Sequence, residues 1–334
     1  MQESLKVTEQ KSLTFKEIWE RGYGPRSKLE YVVLYLKGFA MGMADLIPGV
    51  SGGTIAFISG IYEHLLEAIS SVNQEFFQKL LSFQIKEALC SIRLRFLIPL
   101  FAGILSAMFS LARLMHYLME EHTVHTWSLF FGLIGASIII LGKQLPELKS
   151  LKIIASILAG AVIAYITVSL IPVDTPETWW FIILCGVISI SAMILPGISG
   201  SFLLLILGKY AYITGAVKNP FAPGALEIMI LFVIGAGTGL LGFSKILNWC
   251  FKHYHNITMA LLTGFLLGSM KKVWPWKEVT ESVVIRGKVK VLQEANILPP
   301  SYNGHFWIAI ALMIVGLGLV LILEHYSSDR PSKS

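Results

Sequence analysis

Two hexapeptides decide how this chain is read: Ile47-Pro48-Gly49-Val50-Ser51-Gly52 and, 148 residues further on, Leu195-Pro196-Gly197-Ile198-Ser199-Gly200. Each interrupts an apolar stretch. Proline has no backbone N–H to donate, and the residue before it avoids the helical region. Glycine opens backbone angles closed to other residues. A helix arriving near Asp45 must therefore stop at Pro48-Gly49, and a new one can begin at Ser51. Pro196-Gly197 imposes the same break before Ser199.

A fresh helix start leaves its first amides without partners inside the helix. In hydrocarbon such groups are costly, so a break survives only inside protein or beside a polar cavity. The amides and hydroxyls of Ser51, Gly52, Gly53 and Thr54 are candidate ligands for an anion, aided by the helix dipole. Ser199, Gly200 and Ser201 repeat the set. The plainer reading is that Gly and Ser let helices pack closely. No Lys-Ser or Lys-Thr follows in phosphate-loop spacing, so nucleotide binding is not indicated.

Around these motifs the chain is 54% hydrophobic and only 14% charged over 334 residues. A soluble domain carries about a quarter charged residues. Apolar runs near the length of one bilayer crossing, about 20 residues, recur along the chain. The formal net charge of +6 lies between the apolar runs, which fits loop charges that orient helices and not a nucleic-acid surface. Cys90, Cys185 and Cys250 are far apart and read as small helix residues. The polar N-terminus argues against a cleavable signal peptide.

The expected embedded segments are 31–45, 50–69, 96–119, 126–142, 152–171, 179–195, 198–217, 226–250, 257–270 and 306–323. Six of them, 96–119, 126–142, 152–171, 226–250, 257–270 and 306–323, are clean crossings. The other four form two pairs, each joined by a Pro-Gly break. A helix of about 14 residues spans about 21 Å, short of a hydrocarbon core of about 30 Å. Each pair is thus either a hairpin that enters and leaves on one side or two tilted, partly unwound crossings. Lys and Arg are frequent before residue 31, in 70–95 and in 143–152, and absent from 120–125 and 172–178. This places the N-terminus in the cytoplasm. The basic stretch 271–305 dissents, since the same count puts it outside.

The 148-residue offset also pairs Ala44 with Ala192, Gly60 with Gly208 and Tyr62 with Tyr210. Beyond an insertion near 70–95, an offset of 132 pairs Gly103 with Gly235, Arg113 with Lys245, Gly132 with Gly264 and Ser137 with Ser269. The expected organisation is a cytoplasmic segment 1–30, a first membrane repeat 31–171, a second 172–325 and a tail 326–334. One even pair plus three crossings makes each half odd, so the second copy must be inverted, as in many secondary transporters. The fold class is an all-α polytopic membrane protein with an inverted two-fold repeat.

Charges at membrane depth are functional candidates. Asp45 precedes the first break and could bind a coupling proton or sodium ion; it could equally cap the broken helix. Arg113 and Lys245 could touch phosphate or snorkel to headgroups. Glu63, near His64 and Glu67, could relay protons or lie at headgroup level. Tryptophans near segment ends read as an interfacial belt.

The string Met41-Gly42-Met43-Ala44-Asp45-Leu46-Ile47-Pro48-Gly49-Val50-Ser51-Gly52-Gly53-Thr54, then Gly60-Ile61-Tyr62-Glu63, resembles the first signature of the bacterial polyprenyl-phosphate (undecaprenyl-phosphate) translocase family. Ser191-Ala192-Met193-Ile194-Leu195-Pro196-Gly197-Ile198-Ser199-Gly200-Ser201-Phe202 resembles its second. The resemblance implies a multi-pass protein of the bacterial cell membrane, not an enzyme and without a cofactor. It would return undecaprenyl phosphate from the outer to the cytoplasmic leaflet. On the residues themselves, and not carried over from the family, Ser51, Gly52, Gly53, Thr54, Ser199, Gly200 and Ser201 would hold the phosphate, with Arg113 and Lys245 assisting. Asp45 or Glu63 would couple the step to H+ or Na+. The rival readings are an ion-coupled carrier of a small anion and an intramembrane lipid phosphatase. The second needs a nucleophile beside a base, which His64, His116, His122 and His125 do not supply.

Overall fold

The computed structural model describes residues 19, 24–47, 50–146, 148–285 and 288–328, with backbone alone at 281–285, 288–293 and 323–328. Pro48, Gly49, most of segment 1–30, Arg286 and tail residues 329–334 lie outside the described residues. In chain order the helices are α1 (Lys28–Asp45), α2 (Gly52–Ile58), α3 (Tyr62–Ser70), α4 (Gln74–Leu81), α5 (Ile85–Ser91), α6 (Leu94–Glu121), α7 (Thr123–Gln144) and α8 (Leu151–Ser169). There follow α9 (Trp179–Ile194), α10 (Gly200–Ile206), α11 (Tyr210–Lys218), α12 (Ala225–Val273), strands β1 (Lys277–Ile285) and β2 (Lys288–Asn296), and α13 (Gly304–Ser328).

Among the described residues, α6, α7, α8, α12 and α13 are long and apolar enough to cross a bilayer; α10 and α11, bent by 114°, would make a sixth span if taken together. The protein is a multi-pass membrane protein. Its outer faces are apolar: Val162, Val233 and Ile314 are more than half exposed. That pattern suits lipid.

The expected crossings 226–250 and 257–270 are the two helical parts of α12, which meet at Tyr254, where the backbone leaves helical geometry (φ −137°, ψ 46°). His122, the joint between α6 and α7, has nearly the same backbone (φ −128°, ψ 38°). In both places a threonine four residues on donates its hydroxyl to the joint's carbonyl: Thr126 to His122 at 3.0 Å, Thr258 to Tyr254 at 2.9 Å.

Helices pack in four main pairs: α1 along α6, α9 and α8 along α12, and α13 along α7. Glycines bring the backbones together, as small residues do in membranes. A Cβ on Gly103 would collide with the Tyr35 carbonyl, and one on Gly235 with the Ile183 carbonyl. Gly132 meets the Met313 carbonyl in the same way, and Gly264 the Ile157 carbonyl.

The segment 271–305, read from sequence as a plain loop, contains an antiparallel hairpin in which Lys277 pairs with Asn296 and Ile285 with Lys288. It is pinned to α12 by Asn296 Nδ2 donating to the Lys271 carbonyl (2.8 Å) and by Trp274 Nε1 donating to the Ile297 carbonyl (2.9 Å). Among the described residues, strands occur only in this hairpin. The hairpin is an addition to the expected all-α architecture.

Candidate functional site where the broken helices meet

At the first break α1 ends at Asp45, Ile47 turns back onto the Ala44 carbonyl, and Ser51 (φ −126°, ψ 140°) caps α2. At the second, α9 ends at Ile194, Gly197 takes φ +87°, and Ser199 (φ −100°, ψ 128°) precedes α10. Glycine is needed at 197 for that φ and because a Cβ would press on Ser269 and the Phe265 carbonyl. The short helices α2 and α10 have 7 residues each. Both are followed by a left-handed glycine, Gly60 at φ +70° and Gly208 at φ +65°.

The two breaks are in direct contact. Ser51 Oγ donates to the Met193 carbonyl at 2.5 Å, and Tyr62 Oη donates to the Ile194 carbonyl at 3.1 Å. In the other direction the Gly197 amide donates to Thr54 Oγ1 at 2.9 Å. Gly53 lies so close to the Met193 and Ile194 carbonyls that any side chain would strike them. The last carbonyls of α9, which have no acceptor role inside their own helix, are thus satisfied by groups of the first break. Ser51, Thr54, Ser199 and Pro196 are all buried.

The amides of the two breaks differ in their partners. Gly52 N–H donates to Asp45 Oδ1 at 2.6 Å, Gly53 N–H to Ser51 Oγ at 3.0 Å and Thr54 N–H to the Ser51 carbonyl at 2.9 Å. In the second motif Met193 stands where Asp45 stands in the first, and an apolar side chain offers no acceptor. Ser199 Oγ instead pairs with Ser201 Oγ at 2.9 Å. None of the described residues accepts a hydrogen bond from the amides of Gly200, Ser201 or Phe202. The carbonyl of Gly200 accepts from Ser189 Oγ at 3.1 Å.

The remaining candidates lie elsewhere. Arg113 on α6 and Lys245 on α12 are exposed. Glu63 pairs with His255 at 3.0 Å, both about half exposed, and so ties α3 to α12. Sequence reasoning missed Tyr62, Ser189 and the Met193 and Ile194 carbonyls as parts of the site. Carbonyl acceptors leave no trace in residue type. Lys209 was visible as the one lysine within apolar segment 198–217, and it is 4% exposed. Its Nζ donates to the Thr175 carbonyl at 2.5 Å, while Thr175 Oγ1 donates to the carbonyl of Leu207, the C-cap of α10. In the first motif Lys37 Nζ reaches the equivalent C-cap carbonyl, Ser59, directly at 2.7 Å.

Helix ends broken inside the apolar body and bonded to each other across a buried polar contact define a multi-pass membrane protein of the broken-helix type used by secondary transporters. The profile of the undecaprenyl phosphate translocase-like family matches residues 41–290, and the chain belongs to that family. A polyprenyl-phosphate transporter of Vibrio cholerae is 41% identical over 306 residues, which are 90% of this chain and 98% of the relative. A polyprenyl-phosphate transporter of Staphylococcus aureus is 36% identical over 254 residues, 72% of this chain and 85% of the relative. No solved structure matches the chain.

Proposed function

We propose that this protein carries a polyprenyl phosphate of the undecaprenyl phosphate kind from the outer to the cytoplasmic leaflet, for re-use in envelope polysaccharide synthesis. Family membership and the two transporters at 41% and 36% identity support the substrate class. The physical problem is the headgroup. A bare phosphate entering hydrocarbon faces a Born penalty on the order of tens of kcal/mol. Oriented amides and hydroxyls between helices can replace its water, while the isoprenoid tail stays in lipid.

The observation that carries this reading is the contrast between the breaks: Asp45 closes the first, and the amides of Gly200, Ser201 and Phe202 have no acceptor among the described residues. In the proposal the phosphate first meets Ser199, Gly200 and Ser201. Withdrawal of Asp45, on taking up a proton or a sodium ion, then frees Gly52 and opens Ser51, Gly53 and Thr54 to the phosphate. Glu63 with His255 is a second place where a proton can enter the cycle. Arg113 and Lys245, on exposed flanks, assist by attracting the headgroup.

The two halves, 31–171 and 172–325, are proposed to be an inverted repeat with the N-terminus in the cytoplasm. Equal lengths of α2 and α10, the left-handed Gly60 and Gly208 and the matched joints at His122 and Tyr254 support the repeat. The inversion rests on the odd number of crossings per half. The break before Ser51 and the break at Pro196-Gly197 then face each other from opposite sides, and rocking of the halves alternates access.

Leaflet-resolved transport of undecaprenyl phosphate in liposomes tests the reading. Ser199→Ala should slow transport about tenfold, the scale of one lost hydrogen bond to a charged group. Wild-type rates in both Ser199→Ala and Arg113→Ala would remove these residues from the site. Transport of inorganic phosphate with no movement of the lipid would replace the proposal by a small-anion carrier.

A further inference from the structure

A second cluster of charge lies one helical turn beyond the second break. Gly197 rests against Ser269 of α12. Three residues later, a rise of about 4.5 Å, Lys272 places its Nζ 4.8 Å from the centre of the Phe202 ring, beside Ser201. Lys272 and Lys277 both reach Glu294 Oε2 at 3.4 Å. Lys271 donates to Ser169 Oγ at 2.6 Å and sits over the Tyr165 ring. These side chains line a cavity of about 80 Å³, larger than a single water needs.

A helix C-terminus attracts cations, which accounts for Lys271 and Lys272 at the end of α12. It accounts for Lys277 only through the bond its Nζ donates to the Lys272 carbonyl at 2.8 Å, and not for its burial against an aromatic ring. That residue comes from β1, its side chain is 9% exposed, and its Nζ stands 4.3 Å from the centre of the Trp127 ring. Burial, and secondarily the charge of Lys272, brings its ammonium down to about 8 against the pull of Glu294. Lys272 and Lys277 thus share one carboxylate and Lys271 adds a third ammonium to the same cavity, so two positive charges are left over. Perturbed groups of this kind concentrate at functional sites. A phosphomonoester carries about −1.5 to −2 at neutral pH, which matches the excess.

We infer that Lys271, Lys272 and Lys277 form a receiving site for a phosphomonoester headgroup, with Glu294 as the carboxylate that the phosphate displaces, at the mouth leading to Ser199–Ser201. The inference rests on the transport reading above, whose orientation puts this mouth on the outer face. Phe202, between the cluster and the second break, offers the ring past which the headgroup moves inward.

The test is equilibrium binding of farnesyl phosphate to the full-length protein in nanodiscs, with farnesol and inorganic phosphate as competitors, alongside liposome transport. Lys272→Gln and Lys277→Gln should weaken farnesyl phosphate at least tenfold. Glu294→Gln should tighten it several-fold, a gain that misfolding cannot produce. Farnesol should not compete, and inorganic phosphate should compete only far more weakly. Wild-type binding in all three variants, with wild-type transport intact, would overturn the receiving site and leave the transport reading standing. Inorganic phosphate binding as tightly as farnesyl phosphate would overturn the assignment to a lipid headgroup. If the wild type neither binds farnesyl phosphate nor moves lipid, both readings fall together.

Discussion

The carboxylate of Asp45 and the amide of Gly52 are seven residues apart in sequence and 2.6 Å apart in space. The bond bridges the first helix break, so the last residue of α1 serves as a cap for α2. Ser51 completes the cap through the Gly53 amide. The two breaks share a motif but not this closure, because Met193 stands at the corresponding place.

Replacing Asp45 separates capping from coupling. Asp45→Ala leaves a buried amide without acceptor, at a cost of about 1–3 kcal/mol, and should lower the unfolding temperature in detergent. Asp45→Asn keeps an acceptor oxygen and should lose less than half as much stability. Both should abolish the dependence of transport on the proton or sodium gradient. A gradient response retained in Asp45→Asn would move coupling away from this residue.

Tyr62→Phe removes the hydroxyl that satisfies the Ile194 carbonyl. A destabilisation of about 1–3 kcal/mol is expected, together with slower transport, since the contact joins α3 to the end of α9. Thermal unfolding and liposome transport on the same preparation check both. Loss of stability with full transport would show that the contact is a brace only.

Gly103 and Gly235 provide a matched pair. Gly103→Val and Gly235→Val each force α6 from α1, or α12 from α9. Overpacking of this kind costs about 1–3 kcal/mol, occasionally more. Because the carbonyls struck, Tyr35 and Ile183, are separated by the motif offset of 148 residues, the two penalties should agree within about 1 kcal/mol. A large difference in unfolding temperature would count against equivalent halves.

Lys277 gives the pH dependence of the cluster a definite sign. With its ammonium brought down to about 8, it is charged below that pH and neutral above. Lys271, Lys272 and Glu294 face the same cavity. Burial alone would raise Glu294, but Lys277 and Lys272 outweigh it and hold the carboxyl below its ordinary value, so Glu294 stays ionised. Farnesyl phosphate binding should therefore fall as pH rises through about 8, and also below about 6, where the phosphate gains a proton. Stability of the free protein runs the other way. The unfolded lysine, at its ordinary 10.5, binds more protons than the folded one between about 8 and 10.5, so stability should rise across that window. Titrations of binding and of unfolding should thus slope in opposite directions, and Lys277→Gln should flatten both.

Much of this architecture was legible in the residues. Pro and Gly punctuate backbone geometry so strongly that both breaks, and the spacing between them, could be read before any coordinates. The apolar runs gave α6, α7, α8 and α13 with small changes at their ends. The joint at Tyr254 lies between the expected crossings 226–250 and 257–270, although no Pro or Gly marks it and only a single residue leaves the helix there. The hairpin was obscured by its charges, which drew attention to sidedness and away from the strand pattern. The closure by Asp45 was one of two roles open in the sequence. The acceptors Met193 and Ile194 could not be found, since every residue carries the same carbonyl. The exposure of Arg113 and Lys245 was equally unreadable, because a repeat offset says nothing about which side of a helix faces lipid.

The long helix α8 lies along α12, and α13 lies along α7, so each pairs with a helix on the other side of residue 172. A ribosome that has made only the first 171 residues has therefore delivered α8 to the bilayer before its neighbour exists. Gly160 and the Ile157 backbone must wait for Leu261 and Gly264. Separately expressed fragments cut near residue 172 should be degraded when alone and rescued when co-produced, like two hooks that hold only when clasped.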